Sequence, residues 1–336
     1  MSSFLDFISS LLGRKKPPAA PVKPVVPPDS ASEPAQITLS RVLVLVYNPI
    51  IDTITGRRLS ESQNWYRVED LATGYMGDLL KCSGGLARYQ IVQRIDINEF
   101  LAKTDGFRYT PQTYMDVLRG VTPPHMPQEA DYASILTRFK ILERVAKNEI
   151  DEVWIFAYPH AGFYESSMGG PGAFWCNAPP LKNSEAARRR FVVMGFSYER
   201  NIGEMLESFG HRAESIVARA FEKLSGDLNL WQRFTRYNLV APGKAAVGTI
   251  HFAPNSTRDY EWDNPLPVTS ECHDWLNNFP NFKGDRRVVT AAEWGNGEIR
   301  VHHTWWLKHL PKVAGRRNGV HNNWWQYIVN PNNIFV

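Results

Sequence analysis

The stretch Arg190–Phe221, RFVVMGFSYERNIGEMLESFGHRAESIVARAF, decides how the chain is read. Its opening RFVVMGF is a short apolar run of the length a buried strand needs. From Asn201 the period changes. Ile202, Met205, Leu206, Phe209, Ala213, Ile216, Val217 and Ala220 recur at helical spacing, so 201–221 is predicted as one long amphipathic helix. A strand that turns directly into a helix is the repeating unit of an α/β fold.

The same unit recurs upstream. Arg41–Tyr47 (RVLVLVY), Tyr89–Ile97 (YQIVQRIDI) and Glu152–Tyr158 (EVWIFAY) read as strands, and Asp131–Lys147 carries Ile135, Leu136, Phe139, Leu142 and Val145 at helical spacing. This alternation predicts an α/β body over 39–240, with a mostly parallel sheet and flanking helices. After Trp231 the texture shifts to short strands, Pro and Asn turns and dense Trp and His. Residues 241–336 read as an irregular, aromatic-rich elaboration of the same domain, with no internal repeat. Within it Ile299–Pro311 (IRVHHTWWLKHLP) reads as a strand, with Val301, His303, Trp305 and Leu307 on one face.

The whole-chain numbers agree with a packed domain. Of 336 residues 43% are hydrophobic and 21% charged, and the net charge is +4, which excludes a disordered chain. Cys82, Cys176 and Cys272 cannot make a disulfide framework, and no apolar run is long enough to span a bilayer. The mild charge and the absence of any recognition motif argue against nucleic acid as a partner.

Two local excesses stand out: seven of 23 prolines lie between Pro17 and Pro34, and eight of 11 tryptophans between Trp231 and Trp325. Phe4, Leu5, Phe7, Ile8, Leu11 and Leu12 fit one face of a short helix, so 1–16 is predicted as an amphipathic docking helix. Its positive charges follow the apolar stretch instead of preceding it, unlike a secretory signal. The proline-rich 17–38 reads as a disordered linker tethering that helix, whose 4–12 face would seek a partner groove or a membrane surface. The cysteines favour a reducing interior, or export by a non-classical route.

Candidate chemistry concentrates on the predicted helix. At about 100° per residue Glu204, Glu207, His211 and Glu214 form a stripe about 80° wide, opposite the apolar face. Glu207 and His211 have the four-residue spacing by which one helix gives a metal two ligands. The strand ending at Tyr158 runs into His160, Tyr164 and Glu165 before a GGPG turn, and in open α/β sheets ligands sit beyond such strand ends. In the tail His251, His302 and the acids Asp259, Asp263 and Asp274 are candidates to complete a metal sphere. Trp262 and Trp306 are candidate rings for stacking a substrate.

The segment Glu207, Ser208, Phe209, Gly210, His211 resembles the HEFGH form of the zincin metallopeptidase helix, in which two His bind zinc and a Glu activates water. The order of strand, glycine-bearing loop, strand and helix is also similar. The pattern departs at three places: Glu207 stands for the first His, Ser208 for the catalytic Glu, and Val217 where a third ligand would fall. The resemblance implies His211 and Glu207 as ligands and leaves Glu204 or Glu214 to act as base.

Together these features predict a metal-dependent, peptidase-like hydrolase. His211, Glu207, His251 and His302 are its candidate ligands for a divalent metal such as zinc. Glu204, Glu207, Glu214 and His160 are its candidate catalytic groups, and Tyr164, Glu165, Trp262 and Trp306 its contacts to a peptide or glycan. A metal-free glycosidase or carbohydrate-binding protein, and a non-catalytic delivered effector, remain as alternatives.

Overall fold

The computed structural model describes residues 29–334. Five strands form its main sheet: β1 (Thr38–Tyr47), β2 (Ala87–Ile97), β3 (Glu152–Ala157), β4 (Ser166–Gly169) and β5 (Phe191–Ser197). They lie in the order β2-β1-β3-β5-β4, all parallel except β4, which pairs antiparallel with β5 at one edge. Val42–Tyr47 and Val153–Ala157 are buried, because both faces of the central strands are covered, and this is why they read as continuous apolar runs. The α/β architecture is the one expected.

Three helices pack together: α1 (Val68–Cys82), α2 (Ile202–Ala220) and α3 (Ile299–His309). Tyr75 of α1 sits edge-on to Trp154 of β3, Phe196 of β5 and Phe209 of α2, at 5.2, 5.4 and 6.2 Å between ring centroids. One face of the sheet is thereby sealed by α1 and α2. At the start of α2 the Asn201 side chain accepts from Ile202 N, and Glu204 Oε2 accepts from Asn201 N, a reciprocal cap that fixes where the helix begins.

Several expectations need correction. The helix over 131–147 is two, Tyr132–Arg138 and Ile141–Ala146, because Lys140 adopts a left-handed conformation (φ 51°). Apolar spacing alone does not register such a break. Ile299–Pro311 is not a strand but α3, started by Glu298, whose carboxylate accepts from Arg300 N and Val301 N. His302, His303, Trp305, Trp306, Leu307 and His309 are all buried, so the helix lacks the wide polar face that would display its period. The linker 17–38 extends too far. Ser30 N bonds Arg316 O, Glu33 pairs with Arg316, and Asn323 Nδ2 donates to Gln36 O, so the chain from Ser30 is fastened to the hairpin Lys312–Arg317/Val320–Asn323. The predicted docking helix 1–16 and the linker up to residue 28 lie outside the described residues.

The tail is part of the core. Trp231, Phe234, Trp275, Trp306 and Trp324 form one aromatic cluster, with Phe234 5.2 Å from Trp275 and Trp231 6.4 Å from Trp306. The tryptophan excess is thus mostly packing bulk for a segment short of long regular elements. Among the described residues no helix is long and apolar enough to cross a membrane.

Candidate metal centre

The stripe on α2 is not a solvent face. A loop from the tail, Gly248–Trp262, lies over it, and Glu207 is only 6% exposed. That loop is held by three bonds. Trp306 Nε1 donates to Gly248 O, Ile250 N donates to Glu214 Oε1, and Trp262 Nε1 donates to His251 O. Close approach is possible because position 210 is glycine: a Cβ there would stand 2.4 Å from Ile250 Cγ1. His251 is thereby delivered to the helix.

One ligand atom each from Glu207, His211 and His251 lies within 4.8 Å of the others. His251 Nε2 is 3.1 Å from Glu207 Oε1, and His211 Nε2 is 3.9 Å from the same oxygen. The other nitrogen of each ring faces a carboxylate: His211 Nδ1 donates to Glu214 Oε2 (3.2 Å), and His251 Nδ1 lies 3.0 Å from Asp259 Oδ1, an ion-pair contact without hydrogen-bond alignment. A carboxylate at Nδ1 favours the tautomer whose Nε2 lone pair can bind metal. The two rings cross edge to face at 4.5 Å.

Tyr260 OH donates to Glu207 Oε1 at 3.0 Å. Burial pushes the Glu207 carboxyl up in pKa, but the hydrogen bonds from His251 and Tyr260 outweigh it and hold the group below its ordinary value. Burial lowers His211, yet the bond to Glu214 and the charges of Glu214, Glu165 and Glu207 raise it overall. Glu165 stands 3.9 Å from His211 Nε2, steadied by Asn177 Nδ2 at 2.6 Å. Two imidazoles and Glu207 therefore converge on one point, with Glu165 beside His211 Nε2 and Glu214 and Asp259 behind the rings. Glu207, His211 and His251 can hold a metal ion, and an N2O donor set suits borderline divalent ions from iron to zinc better than magnesium or calcium. A cation held there would take the place of the hydrogen bond between His251 Nε2 and Glu207 Oε1.

The remaining candidates are placed elsewhere. Glu204 is occupied by the helix cap. Glu214 supports a ring and the ligand loop. His160 (φ 63°) lines a cleft at the carboxyl ends of β3 and β5, outside the ligand group. Tyr164 lies near the surface against Tyr132, its N–H donating to Tyr132 OH. His302 is fully buried, stacked at 4.7 Å on Trp262, and burial drives its pKa far below normal; it is not in the ligand group. Trp306 is fully buried and Trp262 nearly so, which leaves neither free as a stacking surface. Asp274 accepts from Lys283 N and Gly284 N and ties a loop. Ser208 Oγ bonds back to Glu204 O and Val217 is core, so neither joins the group; its third member is His251.

Tyr260 was not legible as a site residue. It reaches Glu207 from a left-handed backbone position (φ 60°), and the only hint was the density of polar residues in His251–Asp263. His303 was also missed: Nδ1 donates to Gly203 O, and burial lowers its pKa to about 4. No family model matches the chain, and neither the curated proteins nor the solved structures return a match.

Proposed function

We propose that the chain is a metal-dependent hydrolase whose ion is held by Glu207 Oε1, His211 Nε2 and His251 Nε2. The observation that carries this reading is the paired support at Nδ1. Both candidate ligand rings set that nitrogen against a carboxylate, His211 by a hydrogen bond to Glu214 and His251 by a 3.0 Å ion-pair contact with Asp259, while their Nε2 atoms converge on a third. Solvated surface groups have no reason to adopt that arrangement twice over. A bound divalent cation would supply Lewis acidity toward a carbonyl oxygen and would lower the pKa of a water.

The chain's own groups have defined roles in this reading. Glu165, partly exposed and beside His211, takes a proton from the attacking water and later passes it to the leaving group. Glu165 replaces Glu204 and Glu214 as base, since both of those carboxylates are already engaged. Tyr260 OH, half exposed and donating to Glu207, is placed to turn toward a developing oxyanion. Three protein ligands leave coordination positions open, the arrangement of a catalytic site and not of a closed structural one. A peptide-like amide is the substrate class that the helix resemblance favours.

Metal content of the purified full chain, with and without added zinc, tests the reading. About one equivalent is expected, lost in His211→Ala and His251→Ala, while Glu165→Gln keeps the metal and loses amide hydrolysis. A wild-type protein that takes up less than about a tenth of an equivalent sinks the proposal, as does uptake unchanged by either His substitution.

A further inference from the structure

We infer that the cleft at the carboxyl ends of β3 and β5 receives the free carboxylate of an acylated amino acid or peptide end, with Arg200 as its counter-ion. This rests on the hydrolase reading for its chemistry but not for its binding. The cleft holds about 180 Å³ and adjoins the ligand group through Glu165, which lines it and stands 3.9 Å from His211 Nε2. Its volume matches about six waters, space for an end group of amino-acid size.

Charge is divided along this space. Toward the ligand group stand Glu165, Glu207, Glu214 and Asp259. At the cleft itself stands Arg200, and among the described residues no carboxylate lies within 4 Å of its guanidinium. Arg189, Arg212 and Arg233 are paired, with Asp151, Glu152 and Glu271; Arg88, Arg119, Arg188, Arg190 and Arg236 share Arg200's lack of a carboxylate but do not line this cleft. Glu204, which also lines the cleft, is turned to its cap bond with Asn201 N. Ser197 Oγ, on the same wall, has no partner; buried as it stands, it would donate to a second carboxylate oxygen once its side chain turns into the cleft.

An anion entering this space is repelled at one end and paired at the other. Its carboxylate therefore settles at Arg200, and its acyl carbonyl is carried toward Glu165 and the ligand group. The guanidinium supplies two parallel N–H donors to the carboxylate, and such charge-assisted bonds discriminate strongly against an uncharged isostere. The apolar wall, Phe163 and Met205 among it, faces the intervening atoms.

The test is binding of N-acetylglycine and of N-acetylglycinamide to the full chain, by calorimetry or ligand-observed NMR, with and without zinc. The wild type is expected to prefer the acid over the amide about tenfold or more, and Arg200→Gln to erase the preference. Arg200 is exposed, so that variant should melt as the wild type does. His211→Ala should keep the preference while losing metal. A preference that survives with no metal uptake overturns the hydrolase reading and leaves the carboxylate site standing. Metal uptake without a preference, or a preference that persists in Arg200→Gln, overturns this inference alone.

Discussion

His211 and Arg212 are neighbours in the chain, yet they serve two different polar clusters on the two sides of α2. The Arg212 guanidinium is fully buried and every contact it makes is internal. It bonds Glu152 Oε1 at 2.6 Å, Ile328 O at 3.1 and 2.8 Å and Val329 O at 3.4 Å. Glu152 in turn accepts from Trp154 Nε1 and Ser40 Oγ. His211 belongs to a cluster that gathers Glu165, Glu207, Glu214 and Asp259 around two rings, more negative charge than the rings can balance. One cluster is closed, fastening α2 to β3 and to the C-terminal segment. The other is open at the point where its ligand atoms meet. Burial with full satisfaction marks a structural device, and an excess of acceptors marks a place for a cation.

Removing one member of each cluster should separate them most sharply. Arg212→Met leaves Glu152 buried without its partner and should cost about 3–5 kcal/mol in urea unfolding. Glu152→Leu added to it should recover much of that loss, since a buried pair is often matched by apolar residues of similar size. A single Arg212→Met that unfolds within about 1 kcal/mol of wild type would falsify the structural assignment. The open cluster should respond to added ion. Zinc at about 100 times its dissociation constant should raise stability by about 2.7 kcal/mol, and a chelator should reverse it. Arg212→Met, where still folded, should keep most of that increment, whereas Glu207→Gln should lose it.

Buried imidazoles outside the open cluster offer a third contrast. His309 is enclosed, its Nδ1 donating to Trp305 O at 2.7 Å, and burial lowers its pKa to about 4. Its folded pKa lies below the unfolded value near 6.5, so between these values the unfolded chain binds more protons. Stability is therefore retained above about pH 6.5 and lost on acidification, by about 1.4 kcal/mol per pH unit from this group, until about pH 4. His309→Phe should flatten that part of the acid limb in urea titrations at several pH values. An unchanged limb would place the acid sensitivity elsewhere, with His303, also near 4, the next to examine.

The sheet was legible because its central strands are apolar throughout and its last strand turns straight into an amphipathic helix. The ligand pair Glu207 and His211 was legible because the helix period alone sets their spacing. His251 could be named but not placed. What brings it to α2 is a run of contacts distant in sequence, the indoles of Trp262 and Trp306 and the narrow approach at Gly210, none of which has a local signature. The same blindness turned α3 into a strand: its outward stripe, Arg300, Thr304 and Lys308, is narrow, and the polar His302, His303 and His309 on its buried side mask the period. It also turned two supporting tryptophans into a ligand surface, since composition records an indole but not the carbonyl to which it donates.

The smallest expected effect on folding is also the most specific to the metal reading. Glu214→Gln and Asp259→Asn keep the size of each side chain and remove a charge from an already acidic cluster, so unfolding free energy without metal should move by less than about 1 kcal/mol. Affinity for zinc should nevertheless fall about 10- to 100-fold in each, because the ring loses the carboxylate that favours its metal-binding tautomer. Glu214→Gln should fall further, since Glu214 also accepts from Ile250 N, beside the second ligand, whereas Asp259 is mostly exposed and engages His251 alone. Competition against a chelating dye of known affinity reads both. If the two carboxamides bind zinc as the wild type does, the carboxylates are bystanders and the paired geometry at Nδ1 carries no information about a metal. If they also unfold the protein, the open cluster is structural after all, and its difference from the Arg212 cluster disappears.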